Sequence, residues 1–344
     1  MRKKVTIQDI ADELGISRNT VSKAINNSEG IAEATRQKIL QKAVEMGYKQ
    51  FSYGSAIACA VAAEEQSPGY RGEIALLTTQ FLGQSHFGSV MLDRFQRELA
   101  LAGYTLNTHR VMPENIADLT LPITFVRDRV SGIVCIEMFN RAYDEMVCAL
   151  GLPTLFVDGP EKGDGFSLPC DQLYMENTAE ITRFVRGMLA RGKSRIGFVG
   201  NWAHCQSFYE RYTAFRTAML LAGKPVEECF LIQMMDMGSL EASLNSLTEF
   251  PEVFICANDF VAMDVVQILR RRGLRIPDDI LICGFDDSPE SRHFTPPLTT
   301  IHIHTQIMAY SAAQLLLARI KEPSLDFRTV YTETYLIERE STEG

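Results

Sequence analysis

Residues 5–26 read V-T-I-Q-D-I-A-D-E-L-G-I-S-R-N-T-V-S-K-A-I-N, and this stretch decides the organisation of the chain. Thr6 is placed to cap a helix, with Asp9 three residues on in the position of a capping-box acid. Ile7, Ile10, Ala11 and Leu14 recur at i, i+3, i+4 and i+7, which is one apolar face of a short helix. Gly15 supplies the left-handed turn that ends it. Ser17 caps a second helix whose inner stripe is Val21, Ala24 and Ile25. A third is expected from about Glu33 to Met46, with Ile39, Ala43 and Met46 inward and Gly47 as its stop. Two short helices joined by a glycine turn and braced by a third is the helix-turn-helix layout.

The outer face of the second helix carries Arg18, Asn19, Ser22 and Lys23. In such a motif these residues face the major groove, where Arg or Lys pairs with guanine and Asn with adenine. Thr6, Ser17, Thr20 and Asn26 are placed to hold phosphates and fix the register. Charge agrees with this reading. Residues 1–50 hold nine Lys/Arg against six Asp/Glu, while the whole chain is −9. A basic head on an acidic body presents one cationic face to an anionic polymer. An amphipathic three-helix module that binds protein would share the spacing.

The motif resembles the headpiece of the lactose/galactose repressor (LacI/GalR) family, and T-R-Q-K-I-L-Q-K-A-V-E-M-G-Y at 35–48 continues the likeness. The resemblance implies a hinge helix after Gly47-Tyr48 that inserts an apolar wedge into the minor groove. Counting from Tyr48 puts the wedge at Ile57 rather than Leu. Gly54 interrupts the would-be helix, and the linker, 51–72, is longer than the pattern, so an ordinary helical spacer is the other reading.

The remaining chain alternates short apolar runs with amphipathic stretches. Strands are expected at 73–78, 104–109, 131–136, 153–158, 195–200, 229–234, 252–257 and 280–285. Helices are expected at 88–102, 173–191, 207–222 and 259–272. This alternation predicts parallel sheets covered by helices. With 46% hydrophobic and 22% charged residues, the composition suffices for a two-lobed α/β body besides the all-α headpiece. The domains read as 1–50, 51–72 and 73–344, with lobes at 73–160 plus 289–322 and at 161–288 plus 323–340.

Ligands of open α/β sheets bind beyond the carboxyl ends of the strands. Asp158, Asn258, Asp259, Asp286 and Asp287 stand there, with helix capping as the alternative for Asp259 and one of the Asp286–Asp287 pair. Further stretches resemble the same family's sensor, which is similar to periplasmic sugar-binding proteins: L-P-T-L-F-V-D (152–158), E-R-Y-T-A-F (210–215), C-A-N-D-F-V-A-M (256–263) and G-F-D-D (284–287) followed by P-P-L-T-T-I (296–301). Carried over, Arg211 becomes the main effector contact, joined by Asn258 and Asp286. Asp158 and Asp171 fall on acidic positions of the cleft or lobe boundary. His86 and Phe87 fall on a polar and an aromatic contact, although Phe87 stands equally for a core position. Ala214, where Gly is usual, and Glu176-Asn177, where small residues are usual, depart from the pattern.

No glycine-rich phosphate loop follows a strand and no nucleophile motif is present, so neither an enzyme nor a cofactor is expected. His302-x-His304 suits packing better than metal, with no third ligand in sight. Arg270-Arg271-Arg272 reads as a helix C-terminus. The eight cysteines form no C-x-x-C pair and sit partly in apolar runs, which suits reduced thiols. No signal region, membrane-length apolar run or leucine-heptad tail is seen. The expectation is a cytoplasmic homodimer on a palindromic double-stranded DNA operator, controlled by a sugar or sugar derivative and not associated with a membrane. A solute-binding protein of the same fold would need a secretory signal and no headpiece.

Overall fold

The structure, a computed structural model, describes residues 6–25, 31, 32, 35, 36, 38, 39, 42, 43, 46, 69–79 and 86–343, without the side chains of 25 and 86–90. Asn26 and Ile57 lie outside the described residues. The chain divides into two compact units, Met1–Tyr70 and Arg71–Gly344.

In the first unit α1 spans Ile7–Leu14 and α2 spans Arg18–Ile25. Thr6 Oγ1 accepts from Asp9 N (3.3 Å) and Asp9 Oδ2 accepts from Thr6 N (2.7 Å), closing a capping box. Gly15, at φ +65°, ends α1 in the left-handed region that a residue without Cβ enters freely. Ser17 Oγ accepts from Thr20 N (3.1 Å) and so starts α2. Ile10, Ala11, Val21 and Ala24 are buried together with Ile39 and Ala43, whose backbone is helical.

In the second unit a six-stranded parallel sheet comprises β1 (Gly72–Thr78), β2 (Tyr104–Arg110), β3 (Val130–Ile136), β4 (Thr154–Val157), β5 (Asp171–Met175) and β11 (Thr329–Thr332). Their spatial order is β11-β5-β4-β3-β1-β2. The helices α3 (His86–Leu101), α4 (Pro113–Asp118), α5 (Arg141–Cys148) and α11 (Thr305–Lys321) belong to this lobe. The second lobe has a four-stranded parallel sheet, β7-β6-β8-β9, from Leu231–Ile232, Ile196–Val199, Val253–Cys256 and Leu281–Cys283. Around it lie α6 (Ala179–Ala190), α7 (Gln206–Leu221), α8 (Met237–Ser246), α9 (Asp259–Arg271) and α10 (Pro289–His293). An antiparallel pair, β10 (Thr300–Ile303) with β12 (Thr334–Ile337), adjoins β9 through bridges Cys283–Thr299 and Asp286–His302.

Strand pairing corrects the expected lobe boundaries. Asp171–Met175 pairs with β4 and β11, so it belongs to the first lobe and does not begin a helix. Residues 289–303 join the second lobe, while Thr329–Thr332 returns to the first. The chain therefore crosses between lobes after Met175, after Ile303 and after Thr332. Asp171 is likewise not a cleft residue. It is fully buried, accepts from Arg319 Nε and Nη2 (3.0 Å each) and from Arg328 N (2.8 Å), and pins α11 and β11 to the sheet. At the end of α9, Arg271 pairs with Glu241 (2.8 Å) and Arg272 reaches the carbonyls of Leu244 and Leu247. That arginine run ties helix α9 to helix α8.

Candidate functional site

On α2, Arg18, Asn19 and Lys23 are exposed, and Thr20 and Ser22 are half-buried. Val21 and Ala24, on the opposite side, are buried. One helix thus offers a basic and amide-bearing face to solvent while its other face is fixed in a core. The Ser17 and Thr20 hydroxyls lie 2.8 Å apart at its start. The Thr6 hydroxyl is committed to Asp9 Oδ2 (2.6 Å), which sequence spacing alone did not reveal.

Between the lobes of the second unit lies a cavity of about 380 Å³. Glu137 and Asp158 reach it from the ends of β3 and β4, and Asn258, Asp286 and Asp287 from the ends of β8 and β9. Glu137 (φ 57°), Asp158 (φ 61°), Asp286 (φ 112°) and Asp287 (φ 54°) all adopt left-handed backbone that non-glycine residues rarely hold. Such strain clusters at functional sites, where the surrounding structure over-determines it.

Arg211 is 2% exposed and comes from the middle of α7. Its Nε donates to Asn177 Oδ1 (2.9 Å), its Nη1 donates to Ala257 O (2.6 Å), and its guanidinium lies 3.5 Å from the centre of the Phe285 ring. Asp286 Oδ1 is 3.7 Å from Nη1. Burial lowers the Arg211 pKa, with Asp286 acting against it. Burial pushes Asp286 up to about 7, although Arg211 opposes the rise. Asp158 is also raised by burial, against the Gly159 amide (2.9 Å) that donates to it.

Asn258 plays two parts. Its Oδ1 caps α9 by accepting from Val261 N (2.9 Å), and the residue also lines the cavity. Asp259, expected as a cap, instead accepts from Thr300 Oγ1 (2.6 Å) and Ser288 N (2.7 Å). Asp287 is an anchor. Burial alone would raise it, but His302 Nδ1 (2.8 Å), Arg292 Nη2 (2.6 Å) and Arg339 hold it well below the usual carboxylate range. His302 and His304 stand 5.0 Å apart with both rings against Tyr335. Among the described residues no His, Cys, Asp or Glu cluster is arranged to hold a metal.

The structure thus brings Asp158, Arg211, Asn258 and Asp286 to one cavity. His86 and Phe87 open α3, and their side chains lie outside the described set. Sequence reading missed an aromatic wall of Phe139, Phe208 and Phe260, with His204 edge-on to Phe139 at 4.7 Å. The signal was available. Phe139 follows β3 as Asp158 follows β4, and Phe208 precedes Arg211 by three residues, which places both on one helical face.

Asp286 and the raised Asp158, together with Asp144 (buried, neither carboxylate oxygen hydrogen-bonded, pushed up by burial to about 8), keep protons that the unfolded chain would release. The native state then binds more protons between about pH 4 and pH 8, so ligand-free stability falls as pH rises through that window. Urea melts across it should show this slope, and Asp286→Asn should make it shallower by the share of one group. A slope unchanged in the variant would mean that Asp286 is ionised throughout.

A helix-turn-helix unit followed by a two-lobed α/β unit with a polar cleft defines a DNA-binding regulator that responds to a small molecule. Residues 6–50 match the family model described as bacterial regulatory proteins, lacI family, and residues 185–342 match a periplasmic binding protein-like domain. The HTH-type transcriptional repressor PurR of Photobacterium profundum is 25% identical over 347 residues, covering 98% of both chains. PurR of Vibrio atlanticus is 26% identical over 352 residues, with the same coverage. Two solved structures share the fold at TM-score 0.66 and 20% identity. The CelR–cellobiose complex aligns over 98% of this chain and 100% of its own, and a lac repressor dimer bound to operator and the anti-inducer ONPF over 99% of each. The chain thus carries a lacI-family helix-turn-helix domain at 6–50 and a periplasmic binding protein-like domain at 185–342. Over nearly its whole length it is similar to transcriptional repressors, and the relatives named are regulators, not enzymes. No described helix is long and apolar enough to cross a membrane.

Proposed function

We propose that a cytoplasmic homodimer of this chain holds a roughly palindromic operator, and that a sugar or sugar derivative bound between the lobes sets its operator affinity. The cavity carries the reading. Arg211 is fixed from behind, Asp286 stands beside it without a hydrogen bond, and Phe139, Phe208 and Phe260 add ring faces. A fork of donors next to a carboxylate suits vicinal hydroxyls, and aromatic faces suit the C–H side of a pyranose. Asn258 and Asp158 complete the polar set, and the resemblance adds His86 and Phe87. The similarity to a cellobiose-bound regulator supports a carbohydrate.

On DNA, Arg18 and Lys23 read guanine and Asn19 reads adenine, with Ser22 beside them. Ser17 and Thr20 hold phosphates, as do Thr6 and Asn26 in the family pattern, and Ile57 is the candidate minor-groove wedge. One headpiece reads few base pairs, so two are needed, spaced by helical turns. The effector acts by binding one lobe arrangement better than the other, since equal affinity shifts nothing.

Lys23→Ala tests the DNA half. Losing one base contact costs about 1–3 kcal/mol, roughly 5- to 150-fold in operator affinity at fixed salt. Lys23 is exposed, so folding is spared. A gel-shift titration that shows equal affinity for specific and scrambled fragments in both proteins would end the reading.

A further inference from the structure

The arginine of the cavity is held by a residue of a lobe crossover. Asn177 follows β5 of the first lobe and precedes α6 of the second, and it is fully buried. Its Oδ1 accepts from Arg211 Nε (2.9 Å), and its Nδ2 donates to Met175 O (2.9 Å) and to Glu210 Oε2 (2.7 Å). Glu210, next to Arg211 on α7, accepts at Oε1 from Gln206 Nε2 (2.9 Å) and from the Tyr331 hydroxyl (2.8 Å). Tyr331 lies on β11, just before the chain crosses to the second lobe. The two crossovers run side by side: Glu176 N donates to Thr332 O (2.8 Å), and Thr334 Oγ1 donates to Glu176 O (2.8 Å).

One carboxylate on the arginine's own helix is therefore bonded to both crossovers. With Nε on Asn177, Nη1 on Ala257 O and Phe285 beneath the plane, Nη2 is the part of the guanidinium left without a hydrogen bond. We infer that Asn177 and Glu210 form a clasp that sets the Arg211 guanidinium according to the arrangement of the two crossovers, with Tyr331 as its anchor on the first lobe. Hydrogen bonds weaken steeply with misalignment. A rotation of the lobes moves Tyr331 against Asn177, stretches the bonds at Glu210 and turns the arginine. Asn177 and Glu210 are positioning residues in this scheme. Its consequence for ligand binding rests on Arg211 being an effector contact, but the clasp is testable without any ligand.

The test uses the full-length protein labelled with nitrogen-15 arginine, with the Arg211 Nε–H resonance assigned by its loss in Arg211→Lys. In Asn177→Ala, hydrogen exchange at that site is expected to rise about tenfold, as for the loss of one hydrogen bond to a charged group. Tyr331→Phe removes a single half-exposed hydroxyl outside the cavity and should shift the same resonance and speed its exchange. Tyr335→Phe, which has no bond to Glu210, should do neither. Thermal midpoints of Tyr331→Phe and Tyr335→Phe should match, which separates positioning from general destabilisation. An Arg211 Nε–H signal that does not move in Tyr331→Phe overturns the clasp. Since no sugar is added, failure of the sugar reading would leave this result untouched.

Discussion

Arg211→Ala is expected to abolish effector binding while leaving ligand-free operator affinity within a few-fold of the parent. The guanidinium is 2% exposed and stands against Asn177 Oδ1, Ala257 O and the Asp286 carboxylate. Its removal deletes the ligand's charged donor and leaves buried acceptors unpaired. Each hydrogen bond lost from a charged donor costs about 1.5–3 kcal/mol, roughly 10- to 150-fold in affinity for every bond the ligand makes to the fork. Arg211→Lys should recover little, because an ammonium lacks the planar fork that reaches Asn177, Ala257 and a ligand together. Calorimetric titration checks this, and wild-type affinity in the alanine variant would remove Arg211 from the site. Ligand-free DNA binding is spared because the headpiece belongs to the other compact unit.

The second large effect is on stability. Asp171→Ala leaves the Arg319 guanidinium buried without its counter-charge, and also frees Arg328 N. Breaking a buried pair from one side costs about 3–5 kcal/mol. The midpoint of urea unfolding should fall steeply, with an unchanged slope if the unfolded state stays the same. Asp278→Ala is the contrast. Its partner Arg275 is two-thirds exposed, and such surface pairs contribute about 0–1 kcal/mol. Equal losses in the two variants would mean that Asp171 is not the anchor of α11 and β11.

The headpiece was readable because its signals are local. Thr6, Gly15 and Ser17 each fix a helix end by a bond or a φ value set within three residues, and the apolar period supplies the face. The cavity acids were readable because carboxyl ends of strands converge in a parallel sheet wherever the chain is covered by helices. Strand β5 was not. D-Q-L-Y-M is buried at all five positions, so it has no alternation to mark it, and it runs into the amphipathic start of α6. Nor does T-V-Y-T-E-T-Y-L-I carry a turn residue to show that the chain changes sheets at Glu333, between β11 and β12. Non-local pairing decides both cases. Asn177 shows the same limit for the site. Sequence marked it as a departure from the family pattern, but only the crossover geometry puts its amide behind Arg211.

The most direct test of the account is selection of genomic fragments with the purified protein, followed by binding of the winners with and without a library of sugars. The account predicts a roughly palindromic fragment whose affinity changes with at least one sugar in the parent protein. That response should disappear in Arg211→Ala, and operator affinity should fall by the worth of one base contact in Lys23→Ala. Recovery of no specific fragment under any ligand condition would contradict the claim that this chain is an operator-binding regulator.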